Sequence, residues 1–216
     1  MPKRVHLTFD NGPHPVVTPY VLDVLQRYDL HATFFVLGKH LDTPEGFALA
    51  EQIRDAGHQL GNHSYSHEIP LGEDTRPNAV DAELQRTQTL LDKIWTGPRY
   101  FRPFGGGGHL GPHLLSTQSV SWLVEHQFTC VLWNSVPGDW KDPDGWLEKA
   151  LLDIEQQDET VIVLHDILPD AMRQLDTFLQ TLLHGGCLFT TEFPTSITPI
   201  LKGRRQLSLP NFVNLS

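Results

Sequence analysis

The chain has 216 residues, 39% of them hydrophobic, and a formal net charge of −10 at neutral pH. That length suits one substantial core rather than two domains. The charge excludes a sequence-independent grip on nucleic acid or an anionic membrane, since both need a positive field, and no run of about 18 apolar residues is available to span a bilayer.

Short β-rich apolar runs recur at residues 5–9, 32–37, 59–61, 100–104, 128–133, 160–164 and 187–191. Segments with helical spacing lie between them, at 18–28, 44–56, 77–95, 116–126, 144–156 and 169–184. Strand and helix alternate with little room for hairpins, so the strands are expected to be parallel and joined by helical crossovers. Seven such repeats fit a barrel or a doubly wound sheet. The polar residues favour the barrel, because Asp10, His63, Arg102 and His165 each close an apolar run, and a ring of strand ends is where barrel sites form. The expected architecture is a single-domain α/β chain, a distorted (β/α) barrel of seven or eight strands.

A first strand opening at residue 5 leaves no room for a secretory leader of roughly 15 to 30 residues, so the expected location is the cytoplasm. The stretch from Lys202 onward holds three basic residues, Lys202, Arg204 and Arg205. It reads as a solvated tail, 202–216, after a catalytic domain at 1–201. Cys130 and Cys187 sit in apolar strand-like runs and read as small buried thiols rather than a disulfide framework or nucleophiles.

Two local patterns carry chemistry. In HSYSH, residues 63–67, the four-residue spacing puts His63 and His67 on one face if a helical turn follows the strand, so both imidazoles can share an ion. Alone, such a pair can arise by composition in a chain with 12 histidines. In TFDNGPHP, residues 8–15, a carboxylate and an amide close an apolar strand before a Gly-Pro turn; alone, Asp10 reads equally well as a turn cap. His14 is assigned to that turn and not to a ligand set.

TFDNGP, GNHSYSH, YFRPFG, GDW and VLH occur in the order of the five motifs of the NodB-like polysaccharide deacetylases, the carbohydrate esterase family 4, and from Leu7 to His165 the chain resembles that family. The resemblance implies a distorted (β/α) barrel and a divalent ion that activates water against an N-acetyl carbonyl, releasing acetate and a free amine. Residue by residue, Asp10 looks like the general base and His63, His67 and Asn11 like the metal ligands. Arg102 would orient Asp10, His165 would protonate the leaving amine, and Asp139 would hold and charge His165. Trp140 would stack on a sugar face, Leu164 would pack near the acetyl methyl, and the main-chain N–H of Gly105 would help bind the oxyanion. Zinc is the expected ion, with cobalt or nickel as alternatives, because two imidazoles and one oxygen suit all three.

The pattern departs from the family in three places. Asn11 stands where a metal-binding Asp is usual, so its carbonyl oxygen would bind with less charge and weaker affinity. Phe104 and Gly105 stand where Pro and an aromatic are usual. Val136 replaces a carboxylate ahead of Asp139 and Trp140, which would leave Arg102 less firmly oriented. The expected function is removal of N-acetyl groups from an amino sugar, chitooligosaccharide-like or peptidoglycan-like. Two alternatives stand beside it: deacetylation of a small non-polymeric amide, and a noncatalytic sugar-binding relative.

Overall fold

Strand β1 (Arg4–Asp10) is buried on both faces. Val5, Leu7 and Phe9 alternate with His6, Thr8 and Asp10, and only the apolar set joins the helix-facing core with Val21, Trp146 and Phe178. A strand covered on both sides needs a layer of helices outside and a filled interior within. The computed structural model describes residues 2–215 and shows that arrangement.

The other strands are β2 (Thr33–Val36), β3 (Gln59–Asn62), β4 (Tyr100–Phe101), β5 (Leu115–Ser116), β6 (Thr129–Cys130), β7 (Glu159–His165), β8 (Leu188–Phe189), β9 (Ile200–Leu201), β10 (Arg204–Arg205) and β11 (Val213–Asn214). The sheet runs β10-β9-β6-β4-β3-β2-β1-β7, with β8 pairing the start of β1. From β6 to β7 every neighbour is parallel. Between the two ends of that parallel run, Ser135 forms one isolated parallel bridge with Ile162, and Val163 N–H donates to Ser135 O at 3.0 Å. The sheet therefore curls on itself into the expected distorted (β/α) barrel.

The helices are α1 (Val17–Arg27), α2 (Gly38–Leu41), α3 (Pro44–Asp55), α4 (Arg86–Leu91), α5 (Thr117–Glu125), α6 (Trp146–Gln156), α7 (Pro169–Met172) and α8 (Leu175–His184). Their starts follow local capping chemistry. Thr43 Oγ1 accepts from Gly46 N–H at 3.1 Å with Pro44 in the first turn of α3, and Ser116 and Ser119 form a reciprocal capping box on α5. His14 Nδ1 accepts from Val16 and Val17 N–H, each at 3.2 Å, so this turn histidine caps α1. No helix among the described residues is long and apolar enough to cross a membrane.

Three expectations change. The helical spacing at 77–95 is a π-helical turn, Asp81–Gln85, followed by α4, and the spacing at 169–184 breaks into α7 and α8. The last residues are not a solvated tail: β9 pairs antiparallel with β6, β10 turns back on β9, and β11 pairs with β5. Arg204 and Arg205 point outward, but Leu209 and Val213 are buried, and these apolar positions hold the segment down. Both cysteines are free; Cys130 is buried and Cys187 only half-buried.

Candidate active site

The parallel strands send their C-terminal ends to one mouth, and the charged residues gather there. Asp10 closes β1 and His165 closes β7, directly opposite each other in the strand register. His63 follows β3, Arg102 follows β4, and Asp139 lies in the loop between β6 and α6.

Arg102 is fully buried and meets four acceptors. Its guanidinium donates to Asp10 Oδ1 at 2.8 Å, Thr8 Oγ1 at 2.6 Å, Leu132 O at 3.2 Å and Val131 O at 3.3 Å. Burial by itself would raise Asp10, but the Arg102 guanidinium and the nearby imidazoles outweigh it and hold the carboxyl below its ordinary value. Asp10 is thereby kept ionised, as a base must be. The expected looseness of Arg102 is not found: Val136 lines the cavity, and the carbonyls of Val131 and Leu132 with the Thr8 hydroxyl fix the guanidinium instead.

His165 is gripped twice by one buried carboxylate. Asp139 Oδ1 lies 2.7 Å from His165 Nδ1, and Oδ2 accepts the His165 main-chain N–H at 2.8 Å. Burial pulls the imidazole down, yet the hydrogen bond and charge of Asp139 prevail and raise it above the ordinary histidine value. A histidine whose protonated form is favoured in this way beside a cavity can serve as an acid.

Asn11, His63 and His67 converge across the cavity from His165. His63 Nδ1 lies 2.8 Å from Arg102 O, so it carries the proton and leaves Nε2 with a free lone pair, 3.6 Å from Asp10 Oδ2. The His67 ring centroid lies 4.9 Å from that of His63, and burial lowers His67 to about 3, leaving it neutral. Asn11 Oδ1 is buried without a hydrogen-bond partner among the described residues, and Asn11 lines the same cavity as His63 and His67. These donors fit a divalent ion. Among the described residues no trio of His, Cys, Asp or Glu is arranged for a metal, so the set depends on the Asn11 amide. The helical spacing expected for His63 and His67 is absent; Ser64 (φ 67°) and His67 (φ 57°) take left-handed backbone, and a loop brings the rings together.

The cavity measures about 290 Å³. Trp140, about one-third exposed, forms one wall with its ring edge-on to His165 at 5.1 Å. The Gly105–108 loop forms another, tied down by Trp133 Nε1 donating to Gly108 O at 2.9 Å. Phe104 packs on His67, ring centroids 3.9 Å apart. Gly105 lines the cavity, as expected of a residue near the reacting carbonyl. Leu164 does not: it is fully buried in the helix-facing core, and Val163 occupies the wall. Counting back from His165 by the two-residue period of a strand would have found Val163. Sequence reasoning also missed Thr8, which shares the inner face with Asp10, and Asp166, fully buried behind Gly12. Burial pushes Asp166 up to about 7; it accepts from Thr18 Oγ1, and its Oδ1 has no partner among the described residues.

The fold and this constellation define a hydrolase-type barrel site, and comparison with known proteins names its class. A model described as polysaccharide deacetylase matches residues 1–112. The chitooligosaccharide deacetylase of Azorhizobium caulinodans is 31% identical over 93% of this chain and 89% of its own length. The peptidoglycan-N-acetylglucosamine deacetylase PgdA of Listeria monocytogenes is 30% identical over 88% of this chain, which spans only 38% of that protein. Among solved structures, a CE4 family pseudoenzyme from Bacillus anthracis superposes with a TM-score of 0.73 at 25% identity, covering 87% of this chain and 63% of that one. A family 4 acetyl xylan esterase from Clostridium thermocellum, in complex with a cobalt ion, superposes at 0.69 with 29% identity and 87% coverage of both chains. The chain belongs to the polysaccharide deacetylase family, and its named deacetylase relatives are hydrolases that act on carbon–nitrogen bonds other than peptide bonds.

Proposed function

We propose that this chain removes the N-acetyl group from an amino sugar, with Asp10 as base and His165 as acid at the ends of two adjacent strands. The observation that carries the reading is the pairing of two buried ion pairs at one mouth: Arg102 favours the ionised form of Asp10 and Asp139 favours the protonated form of His165. Two titratable groups driven in opposite directions at one cavity suit a reaction that takes a proton from water and gives one to an amine.

Asn11, His63 and His67 would hold the divalent ion, which when bound supplies Lewis acidity to the acetyl carbonyl and its attacking water. Zinc, cobalt and nickel all suit these donors, and the cobalt-bound acetyl xylan esterase supports a family habit of this kind. Asp10 takes the proton of the attacking water. His165 Nε2, its Nδ1 committed to Asp139, gives its proton to the departing sugar nitrogen. Trp140 and Val163 give the acetylated ring apolar surface, and the buried position of Arg102 excludes water from behind Asp10.

Acetate release from N-acetylglucosamine oligomers, peptidoglycan fragments and small acetamides, with and without zinc or cobalt, tests the reading. Metal-stimulated release that is lost in Asp10→Asn is the expected result and ranks the substrates. Release unaffected by Asp10→Asn would remove that residue from the chemistry. No release from a metal-loaded chain would favour a noncatalytic relative, a reading prompted by the likeness to the pseudoenzyme.

A further inference from the structure

The two histidines of the ligand set are separated by Ser64, Tyr65 and Ser66, and the segment is bent by left-handed backbone at Ser64 and at His67 itself. Non-glycine residues adopt that conformation at a cost and keep it only where their surroundings impose it. On the carbonyl side, Gly38 N–H donates to Ser64 O at 3.0 Å and Lys39 N–H to Tyr65 O at 3.1 Å. The amide side is held from another element. Glu83 Oε2 accepts the main-chain N–H of Tyr65 at 3.0 Å and of Ser66 at 2.8 Å, while Oε1 accepts the Ser66 hydroxyl at 2.8 Å.

Glu83 is itself buried and braced. Arg76 donates to its Oε1 at 3.0 Å while paired with Asp74 at 2.6 Å. The residue lies within the π-helical turn Asp81–Gln85, and such a turn re-aims side chains away from their α-helical directions. The next residue of that turn receives Asn62, whose Nδ2 donates to Leu84 O at 3.0 Å while its Oδ1 accepts Ser64 N–H at 3.0 Å. Both ends of the bend are thus anchored on one irregular turn.

We infer that Glu83 is a positioning residue for the metal-binding pair: its carboxylate fixes the chain between His63 and His67 and so aims the His67 ring into the cavity. The inference rests on the reading of His63, His67 and Asn11 as ligands. A buried carboxylate that spends three acceptor contacts on two consecutive loop residues is more than an ion-pair partner for Arg76, whose charge Asp74 already meets.

The test compares Glu83→Ala, Glu83→Gln and Ser66→Ala with the parent chain in three measurements: zinc titration of the metal-free protein, its thermal unfolding, and imidazole ¹H–¹⁵N spectra assigned with His63→Gln and His67→Gln. Glu83→Ala is expected to weaken zinc binding roughly 10- to 100-fold, the scale of groups that orient metal ligands. It should also displace the His67 ring signals while leaving those of His165 in place. Glu83→Gln keeps an acceptor for the two amides and should fall between Ala and the parent. A lower melting temperature with unchanged zinc affinity and unchanged His67 signals would overturn the inference, leaving Glu83 a purely structural residue. If Glu83→Ala does not fold, the same two signals in Glu83→Gln and Ser66→Ala decide. A parent chain that binds no divalent ion would sink the ligand reading, and the His67 ring signals would still decide whether Glu83 sets that ring.

Discussion

The Asp10–His165 side of the cavity and the side formed by His63, His67 and the glycine loop are built by different means. Asp10 and His165 end two long paired strands, and each is bound to a buried partner by a hydrogen bond of 2.8 Å or less. His63, His67 and Gly105–108 stand on irregular chain, with left-handed backbone at Ser64, His67, Gly106, Gly107 and Gly108. Strands tie a side chain to the whole sheet, whereas a loop ties it only to its local anchors. The placement of Asp10 and His165 is therefore set by the fold, while that of His63, His67 and the glycine loop can be retuned by a few loop contacts. The departures from the family pattern spare both ion pairs: Asn11, Phe104 and Val136 line the cavity, while Asp10, Arg102, Asp139 and His165 are kept, as are His63 and His67.

Removing Arg102 attacks the strand-borne half at its centre. Arg102→Ala leaves Asp10 buried without its guanidinium, and the expected cost is about 3–5 kcal/mol of stability. Chemical denaturation reads it directly, and a loss below about 1 kcal/mol would mean that Asp10 is less dependent on the pair than its burial implies.

Asp139→Asn should act on protonation before it acts on folding. His165 is raised above its ordinary value, so its acid form, and the stability gained from its charge, are fully present below the unfolded pKa and are lost as pH rises through the folded one. With the carboxylate gone, burial prevails and the imidazole loses its proton earlier. The alkaline limb of kcat/KM should move to lower pH in the variant, with the rate falling roughly 10²- to 10⁴-fold, the range for a general acid. An unmoved alkaline limb would assign it to another group.

The smallest effects separate two glycines. A Cβ on Gly12 would lie 2.2 Å from Asp166 Oδ2, whereas one on Gly106 would meet nothing within 4 Å. Gly12→Ala should cost about 1–3 kcal/mol through crowding. Gly106→Ala should cost about 1 kcal/mol through its positive φ alone. Equal melting temperatures for the two would contradict the contrast between a packed strand end and an open loop.

The strand-borne half was the more legible in the sequence. Strands buried on both faces leave apolar runs, and Asp10, Arg102 and His165 stand out because each ends one. Legibility failed where position depends on the path of a loop or on the face of a strand. Leu164 adjoins His165 in sequence, which suggests a place near the acetyl methyl, but adjacent strand residues face opposite ways. His63 and His67 have helical spacing without a helix, because left-handed turns do the same work. Arg204 and Arg205 suggested a solvated tail, although Leu209 and Val213 anchor it. Glu83 left no trace at all: its partners, 17 and 18 residues away, include two main-chain amides, which no side-chain pattern records.

The pairing of β1 with β7 also carries a kinetic consequence. It joins residues about 150 positions apart, as in the contact of Thr8 with Ile162, 154 residues away, and it sets Asp10 opposite His165. Contacts so distant in sequence form late, because a long loop must close before they return anything. During synthesis and refolding the register that sets Asp10 beside His165 is thus expected to be among the last features to form, after the local helices.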